Sequence, residues 1–261
     1  MIVFILMLNQ IVVLHAEELT KELAKGNELI IMLAPMHKNL TTFYYKISDS
    51  GWENGWAKNT YKKIVHNKRT MYENRSYVMM KMPNQITFKT KIKDVFTSDL
   101  RPVEIKAKNI VTTFDGTTMI TTRVVTFGKK KATLIRRINQ EEPKKYEIDL
   151  PNQPFIHDVE LFLLNSPIRK YDSFALHVVD FGDEKNIITL NHFKVLKKQD
   201  DSLWVNISPH GKPLSTYYIL NKENKLVKIR YIDKGFNPSF KPTTSEYFEK
   251  LKKSFQTAKI E

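Results

Sequence analysis

A two-residue alternation of apolar and polar side chains constrains the fold of this chain more than any other feature. It is clearest in Ile86–Lys93, where Ile, Phe, Thr and Ile alternate with one Thr and three Lys. Val103–Lys108 repeats the pattern. A period of two places alternate side chains on opposite faces of a β-strand, one buried and one hydrated. The chain is therefore predicted to be mainly β.

Thirteen segments have this strand-like character, and short connections between them favour antiparallel neighbours. The Asp115-Gly116 dipeptide is a strong hairpin signal. The segments are Phe43–Ile47, Trp56–Val65, Tyr77–Met82, Ile86–Lys93, Val103–Lys108, Thr118–Phe127, Ala132–Ile138, Tyr146–Leu150, Phe174–Phe181, Ile187–Leu196, Leu203–Ser208, Leu214–Leu220 and Leu226–Ile232. An open twisted sheet rarely exceeds about ten strands. We therefore expect about 12 strands in a large curved antiparallel sheet or half-barrel.

Helical signals occur in three places. Pro154–Asn165 (PFIHDVELFLLN) has Pro near its first turn, early acidic residues and apolar residues on most sides. We predict an internal helix there, buried against the concave face of the sheet. Ser245–Ala258 is predicted to be a basic amphipathic C-terminal helix, and Glu17–Lys25 a short polar helix that ends at Gly26.

The first sixteen residues, MIVFILMLNQIVVLHA, resemble a secretory leader. The apolar run Ile2–Leu14 is too short for a membrane span, which needs roughly 20 residues, and it suits a signal-peptide h-region. Small Ala16 precedes two acidic residues, so we predict a signal peptide at residues 1–16, a single β-rich domain at 17–261 and no transmembrane span in the mature chain. No Lys or Arg precedes the run, and a buried N-terminal strand or helix is the alternative.

The amino-acid composition indicates the compartment. The chain has no cysteine, although small extracellular eukaryotic domains normally carry disulfides. A chain of this length can build a sufficient core without them. Export together with the lack of cysteine predicts a bacterial periplasm or cell surface.

The formal net charge of +14 would attract polyanions. Lysines, however, are spread singly along the strands, as in Lys89, Lys91, Lys93, Lys106 and Lys108. Nucleic-acid-binding surfaces usually combine such charges with aromatic side chains, whereas these faces carry Thr and Glu. We therefore predict a solvated outer face and no nucleic-acid partner.

The order of the elements resembles a known class of proteins. A leader and FYYKISDSGWENGW precede basic amphipathic strands, then PFIHDVELFLLNSP, then YDSFALHVVDF, ITLNHFKVLKK, LWVNISPHGKPLSTYYIL and NKLVKIRYID. Over Thr42–Ile232 this order resembles exported β-rich bacterial proteins of unknown function, and it is similar in outline to periplasmic and outer-membrane lipoprotein carriers. The resemblance implies a curved antiparallel half-barrel with a helical lid, and it carries over no catalytic residue.

Candidate chemical groups are few. His157-Asp158-x-Glu160 places His and Glu on one helix face but lacks the second His of a His-Glu-x-x-His motif, so we expect hydrogen-bonded or surface residues. His177 and His192 lie on consecutive predicted strands, beside Asp180 and Asp183, and two His with a carboxylate can bind zinc. Gly-x-Ser-x-Gly and Gly-rich phosphate loops are absent from the sequence.

Aromatic residues suggest a core or a cavity wall. Trp52, Trp56 and Trp204 can line an apolar cavity, although aromatic residues in strands are more often ordinary core. We predict no catalytic residue, metal ligand or cofactor. The favoured function is a non-enzymatic, exported bacterial cell-envelope protein that binds a hydrophobic or lipid-like ligand. The alternatives are a structural or protein-interaction module of the envelope without ligand, and a metal-dependent hydrolase that uses the His177/His192 region.

Overall fold

The computed structural model describes residues 2–33, 41–49, 52–82, 85–181, 187–209, 215–232 and 237–257. Within these ranges the helices are α1 (Ile2–Ile31), α2 (Val159–Asn165) and α3 (Ser245–Thr257). The strands are β1 (Thr42–Asp49), β2 (Trp52–His66), β3 (Arg69–Lys81), β4 (Thr87–Phe96), β5 (Pro102–Thr112), β6 (Thr118–Phe127), β7 (Lys131–Ile138), β8 (Lys144–Asp149), β9 (Phe155–Ile156), β10 (Ser173–Val179), β11 (Ile188–Lys197), β12 (Leu203–Pro209), β13 (Ser215–Leu220), β14 (Leu226–Ile232) and β15 (Ser239–Thr243).

All fifteen strands of the described ranges belong to one sheet. Their order is β8-β7-β6-β5-β4-β3-β2-β1-β15-β14-β13-β12-β11-β10-β9. Every neighbouring pair is antiparallel except β9 with β10, which is parallel. The predicted mainly β fold with a large, mostly antiparallel sheet is confirmed, but the predicted count of about 12 strands is wrong.

Two strands account for the undercount. Phe155–Ile156 forms β9, although the sequence placed it inside the internal helix, which in fact begins at Val159. Ser239–Thr243 forms β15, which is not among the thirteen predicted segments. Pro242 has no backbone N–H to donate, but this is compatible with the strand. β15 pairs with β14 only through Phe240 and Ser239, so no hydrogen bond to β14 is lost at Pro242.

The sheet curls until its two edges approach each other. The edge strands β8 and β9 are consecutive in the chain, with only residues 150–154 between them. Ile148 of β8, Phe155 of β9 and Val179 of β10 belong to one buried cluster with residues of β5 to β7. Apolar packing thus joins edges that are not hydrogen-bonded to each other, which makes the sheet barrel-like without closing it.

Helix α2 lies in the interior of this sheet. Phe162 is fully buried and contacts Phe174 of β10 and Phe193 of β11, with ring centroids 5.9 and 6.3 Å apart. On the opposite side, Glu160 is hydrogen-bonded to Tyr45 of β1. A helix that contacts strands from both halves of the sheet occupies the concave side, as its apolar surface predicted.

Helix α1 does not end at Gly26 as predicted but continues to Ile31. A Cβ atom at Gly26 would lie 2.0 Å from the carbonyl oxygen of Ala175, so glycine permits close contact between the helix and β10. Leu29 is fully buried in the main core cluster. Contact with the strand outweighs the low helix propensity of glycine here. Within the described residues, no helix has the length and apolarity needed to cross a membrane.

Helix α3 is amphipathic and packs on the sheet near its middle. Phe248, which is 1% exposed, contacts Tyr44 of β1 and Trp56 of β2, with ring centroids 4.8 and 5.3 Å away. The predicted helix ended at Ala258, which lies outside the described residues, as does Leu214 at the start of a predicted strand.

Candidate functional site

A cavity of about 440 Å³ lies inside the curved sheet, beside the beginning of α2. Residues of both halves of the sheet line it, together with the segment His157–Glu160. A larger cleft of about 610 Å³ lies near the end of α1 and is lined by mixed charges such as Asp99, Arg101 and Lys129. We place the candidate site in the interior cavity because buried polar groups converge there.

Asp158 anchors the helix at the cavity wall. Its Oδ1 accepts a hydrogen bond from the backbone N–H of Leu161 over 2.8 Å, which makes it the N-cap of α2. Its Oδ2 accepts a hydrogen bond from the hydroxyl of Tyr61 over 2.6 Å. Burial, followed by the charge of Asp94, raises the pKa of the Asp158 carboxyl.

Glu160 points from the first turn of α2 towards β1 and β2. The Tyr45 hydroxyl donates to its Oε1, and the Asn59 amide donates to its Oε2 over 3.4 Å. Only 8% of the residue is exposed. Burial, and after it the charge of Asp158, raises the pKa of Glu160 from 4.5 to about 8. At neutral pH this carboxyl therefore holds its proton in most molecules.

His157 and Asp94 form a third polar contact at the same place. The Nδ1 atom of His157 lies 2.8 Å from Oδ2 of Asp94, which is fully buried. Burial by itself would lower the pKa of His157, but the hydrogen bond to Asp94 and its charge raise it. The pair therefore favours a charged imidazole.

Two buried oxygen atoms at this site have no hydrogen-bond partner. They are Oδ1 of Asn74 and Oδ1 of Asp94, in residues that are 5% and 0% exposed. Asn74 lines the cavity, and Asp94 is its direct partner on β4. A buried acceptor without a donor costs about 1–3 kcal/mol. Asn74 and Asp94 therefore hold, beside the cavity and closed off from solvent, acceptor capacity that the protein itself does not use.

The cavity wall changes from polar to apolar along the strands. One cross-strand row places Tyr61 beside Asn74 and Asp94. Four residues away along the strands, Ala57 is paired with Val78. At about 3.4 Å per residue, the two rows are roughly 14 Å apart. The wall thus has a polar end and an apolar end.

The structure places the predicted His157-Asp158-x-Glu160 group in this cavity, and each of the three side chains is hydrogen-bonded. His157 does not lie on the helix but precedes it, so the expected shared helix face is wrong. His and Glu instead contact different strands.

His177 and His192 are not directly opposite each other. His177 is paired with Leu190, whereas His192 is paired with Ala175, two pairs further along. His192 Nδ1 lies 3.0 Å from Glu22 of α1, and burial lowers the pKa of His177. Among the described residues, no three His, Asp or Glu side chains are placed to share a metal ion. Asp183 lies outside the described residues.

Trp56 and Trp204 do not line the cavity. Trp56 contacts Phe248 of α3, and Trp204 contacts Tyr217, with ring centroids 6.4 Å apart. The side chain of Trp52 lies outside the described part of the structure.

The lysine-rich faces of β4 and β5 lie on the outside of the sheet, as the alternation predicted. Lys91 is paired with Lys108, and Lys93 with Lys106. Lys93 forms an ion pair with Glu73 over 3.1 Å, and Lys106 forms one with Glu104 over 3.0 Å. Acidic neighbours thus neutralise part of this charge.

The site residues contributed by the strands were not identified from the sequence. They are Tyr45, Asn59, Tyr61, Asn74 and Asp94. A signal did exist: the apolar face of Ile86, Phe88, Thr90 and Ile92 continues to Asp94, which places a carboxyl group on the buried side. A polar residue in the inward phase of a strand predicts an interior polar site.

These observations define a β-barrel-like protein with an interior cavity that is polar at one end. No protein-family model and no curated protein matches the chain. A solved structure is similar to it: the crystal structure of a β-barrel-like protein of domain of unknown function DUF1849 from Brucella abortus. The TM-score is 0.51 at 10% sequence identity, over 78% of this chain and 95% of that chain. This similarity concerns the fold alone and supports a β-rich, barrel-like architecture.

Proposed function

We propose that this chain is a non-enzymatic binding protein whose interior cavity holds a small amphiphilic, lipid-like molecule. The observation that carries the proposal is the partly open cavity of about 440 Å³, lined by strands of the curled sheet and by the beginning of α2. Ligand sites in proteins typically have volumes of about 300–1,000 Å³ and combine apolar walls with a few placed polar groups. This cavity has both properties.

The polarity of the wall suggests how such a molecule would lie. Its polar head would face the row of Tyr61 and Asn74, near Asp158. Its apolar part would extend towards Val78 and Ala57. Burial of that part contributes about 25 cal/mol per Å² of apolar surface, which provides the affinity, while the polar groups fix the orientation.

A cavity-filling substitution tests this proposal. Ser76 lies on the wall between the polar and apolar rows, and Ser76→Phe would place an aromatic ring in the cavity. We expect native mass spectrometry to detect an amphiphile bound to the purified wild-type protein, and the Ser76→Phe variant to have lost it. The matched control is Thr126→Phe, which adds the same ring at an exposed position of β6.

Retention of the ligand by Ser76→Phe would place it elsewhere on the protein. A wild-type protein that carries no small molecule after purification from its own host would contradict the carrier proposal and favour the structural or interaction module.

We further propose that the protein is exported to the bacterial periplasm or cell surface. Support comes from the apolar run Ile2–Leu14 and from small Ala16. Cleavage after Ala16 would divide α1 but would keep the part that contacts the sheet, including Glu22 and Gly26. Expression of the full chain in a bacterium should therefore yield an envelope-fraction protein whose mass corresponds to a start at Glu17. An uncleaved chain in the cytoplasmic fraction would contradict export.

A further inference from the structure

We propose that the head group of the bound amphiphile is a protonated amine, received at the polar end of the cavity by the lining residues Asn74, Asp158 and Glu160, with Asp94 next to Asn74 on β4. This inference rests on the proposed function, because it assigns the ligand chemistry of the same cavity.

The unused hydrogen-bonding capacity at this site consists of acceptors. Oδ1 of Asn74 and Oδ1 of Asp94 both lack a donor, and the two residues are directly opposite each other on β3 and β4. Both are more than nine-tenths buried. A ligand group that satisfied these two oxygens would have to donate hydrogen bonds. An ammonium group is a donor of three bonds and accepts none.

The charge of the site also favours a ligand whose head group is positively charged. Four carboxyl groups, those of Asp94, Asp158, Glu160 and Asp180, are accompanied by one imidazole, that of His157. Within the described residues, neither Asp158 nor Glu160 forms an ion pair with a lysine or arginine. Arg123 and Arg136 lie on the same side of the sheet, but in a neighbouring row beyond Ala107. A carboxylate head would add a further acid to this cluster, whereas an amine would partly neutralise it.

The titration of Glu160 agrees with this arrangement. Its pKa is raised to about 8, first by burial and then by the charge of Asp158. A cation placed between the two carboxyl groups would oppose both effects. Binding of a cation would therefore lower the pKa of Glu160 and favour ionisation of a carboxyl that is protonated in the empty site at neutral pH.

Three probes of equal chain length separate the head-group classes: decylamine, 1-decanol and decanoate. Their binding to the full chain is measured by titration calorimetry at pH 7, below the concentrations at which they form micelles. We expect decylamine to bind at least about tenfold more tightly than 1-decanol, because charge-assisted hydrogen bonds are about twice as strong as neutral ones. Decanoate should bind most weakly.

The variant Asp158→Asn removes a charge while keeping an N-cap, since Asn and Asp cap helices about equally well. It should reduce the preference for decylamine over 1-decanol by about tenfold. The control Asp172→Asn removes a charge from a side chain that is 95% exposed and should leave all three affinities unchanged.

A second variant separates a ligand role from a structural one. Asn74→Leu removes the unpartnered oxygen, so the empty protein should unfold at the same or a higher temperature. Its affinity for decylamine should nevertheless fall by about tenfold. A structural role of Asn74 predicts the opposite, a loss of stability without a selective loss of binding.

The outcomes distinguish the two proposals. If none of the three probes binds, the cavity is not an amphiphile site, and both proposals are overturned. If 1-decanol or decanoate binds as tightly as decylamine, or if Asp158→Asn keeps the full preference, the amine assignment is overturned while the cavity proposal stands.

Discussion

Phe162→Ala is expected to lower the free energy of unfolding by about 3–5 kcal/mol. Phe162 is fully buried on α2 and lies among the aromatic rings of Phe174 and Phe193, which are themselves buried. Truncation removes the transfer free energy of the ring and leaves a cavity that the sheet on both sides of α2 is poorly able to fill. Equilibrium unfolding in urea, followed by tryptophan fluorescence, measures the change.

The chain supplies a matched control for this experiment. Phe114 is 78% exposed in the turn between β5 and β6, and Phe114→Ala makes the same chemical change without leaving a cavity. We expect it to change stability by less than about 0.5 kcal/mol. If Phe162→Ala cost no more than this control, α2 would not be packed inside the sheet.

The strands were predictable because each has one buried and one hydrated face. The alternation in β4 and β5 required only local information, and the register confirms that their lysines face outwards. Asp115-Gly116 likewise marks its own turn, with Gly116 at a φ of +83°. Wherever neighbouring residues decide the conformation, the sequence pattern is sufficient.

The errors arose where distant residues decide the conformation. Gly26 indicated a helix end, but its lack of a side chain serves the contact with Ala175 of β10. Phe155 and Ile156 fit a helical pattern, yet they pair with His177 and Val178 and form an edge strand. Neither partner is close in sequence, so no local pattern identifies these contacts.

The candidate site was only partly predictable, because some of its residues are adjacent in the sequence and others are far apart. His157, Asp158 and Glu160 attracted attention because they are adjacent in the sequence. Their partners Asp94 and Tyr45 lie 63 and 115 residues away, so only the fold brings them together. Asp94 could have been found from its inward phase on β4, but the pairing with His157 could not.

The stability of the protein should fall as the pH rises from about 5 to about 8, and Glu160→Gln should remove most of that fall. A carboxyl group whose pKa is higher in the folded than in the unfolded protein binds its proton more tightly when folded. For Glu160 the pKa rises from 4.5 to about 8. Its favourable contribution is complete below about pH 4.5 and is lost as the pH approaches 8. Each pKa unit corresponds to about 1.4 kcal/mol, so the loss is on the order of 4 kcal/mol.

Two neighbouring groups, Asp158 and His157, also make the folded protein less stable as the pH rises. The pKa of Asp158 is raised by burial, and that of His157 is raised by its contact with Asp94 despite burial, so both also stabilise the folded protein more at lower pH. His177 has the opposite sign, because burial lowers its pKa. The contribution of Glu160 is therefore isolated as the difference between the wild-type slope and the Glu160→Gln slope.

Urea unfolding at several pH values between 5 and 8.5 measures both slopes, and Glu141→Gln, at an exposed position in the turn between β7 and β8, is the matched control. The control should keep the wild-type slope, whereas Glu160→Gln should be nearly flat and should be the more stable protein at pH 8. Gln can still accept the hydrogen bond from Tyr45 but cannot ionise. Equal slopes in Glu160→Gln and the wild type would show that this carboxyl is already ionised in the folded protein.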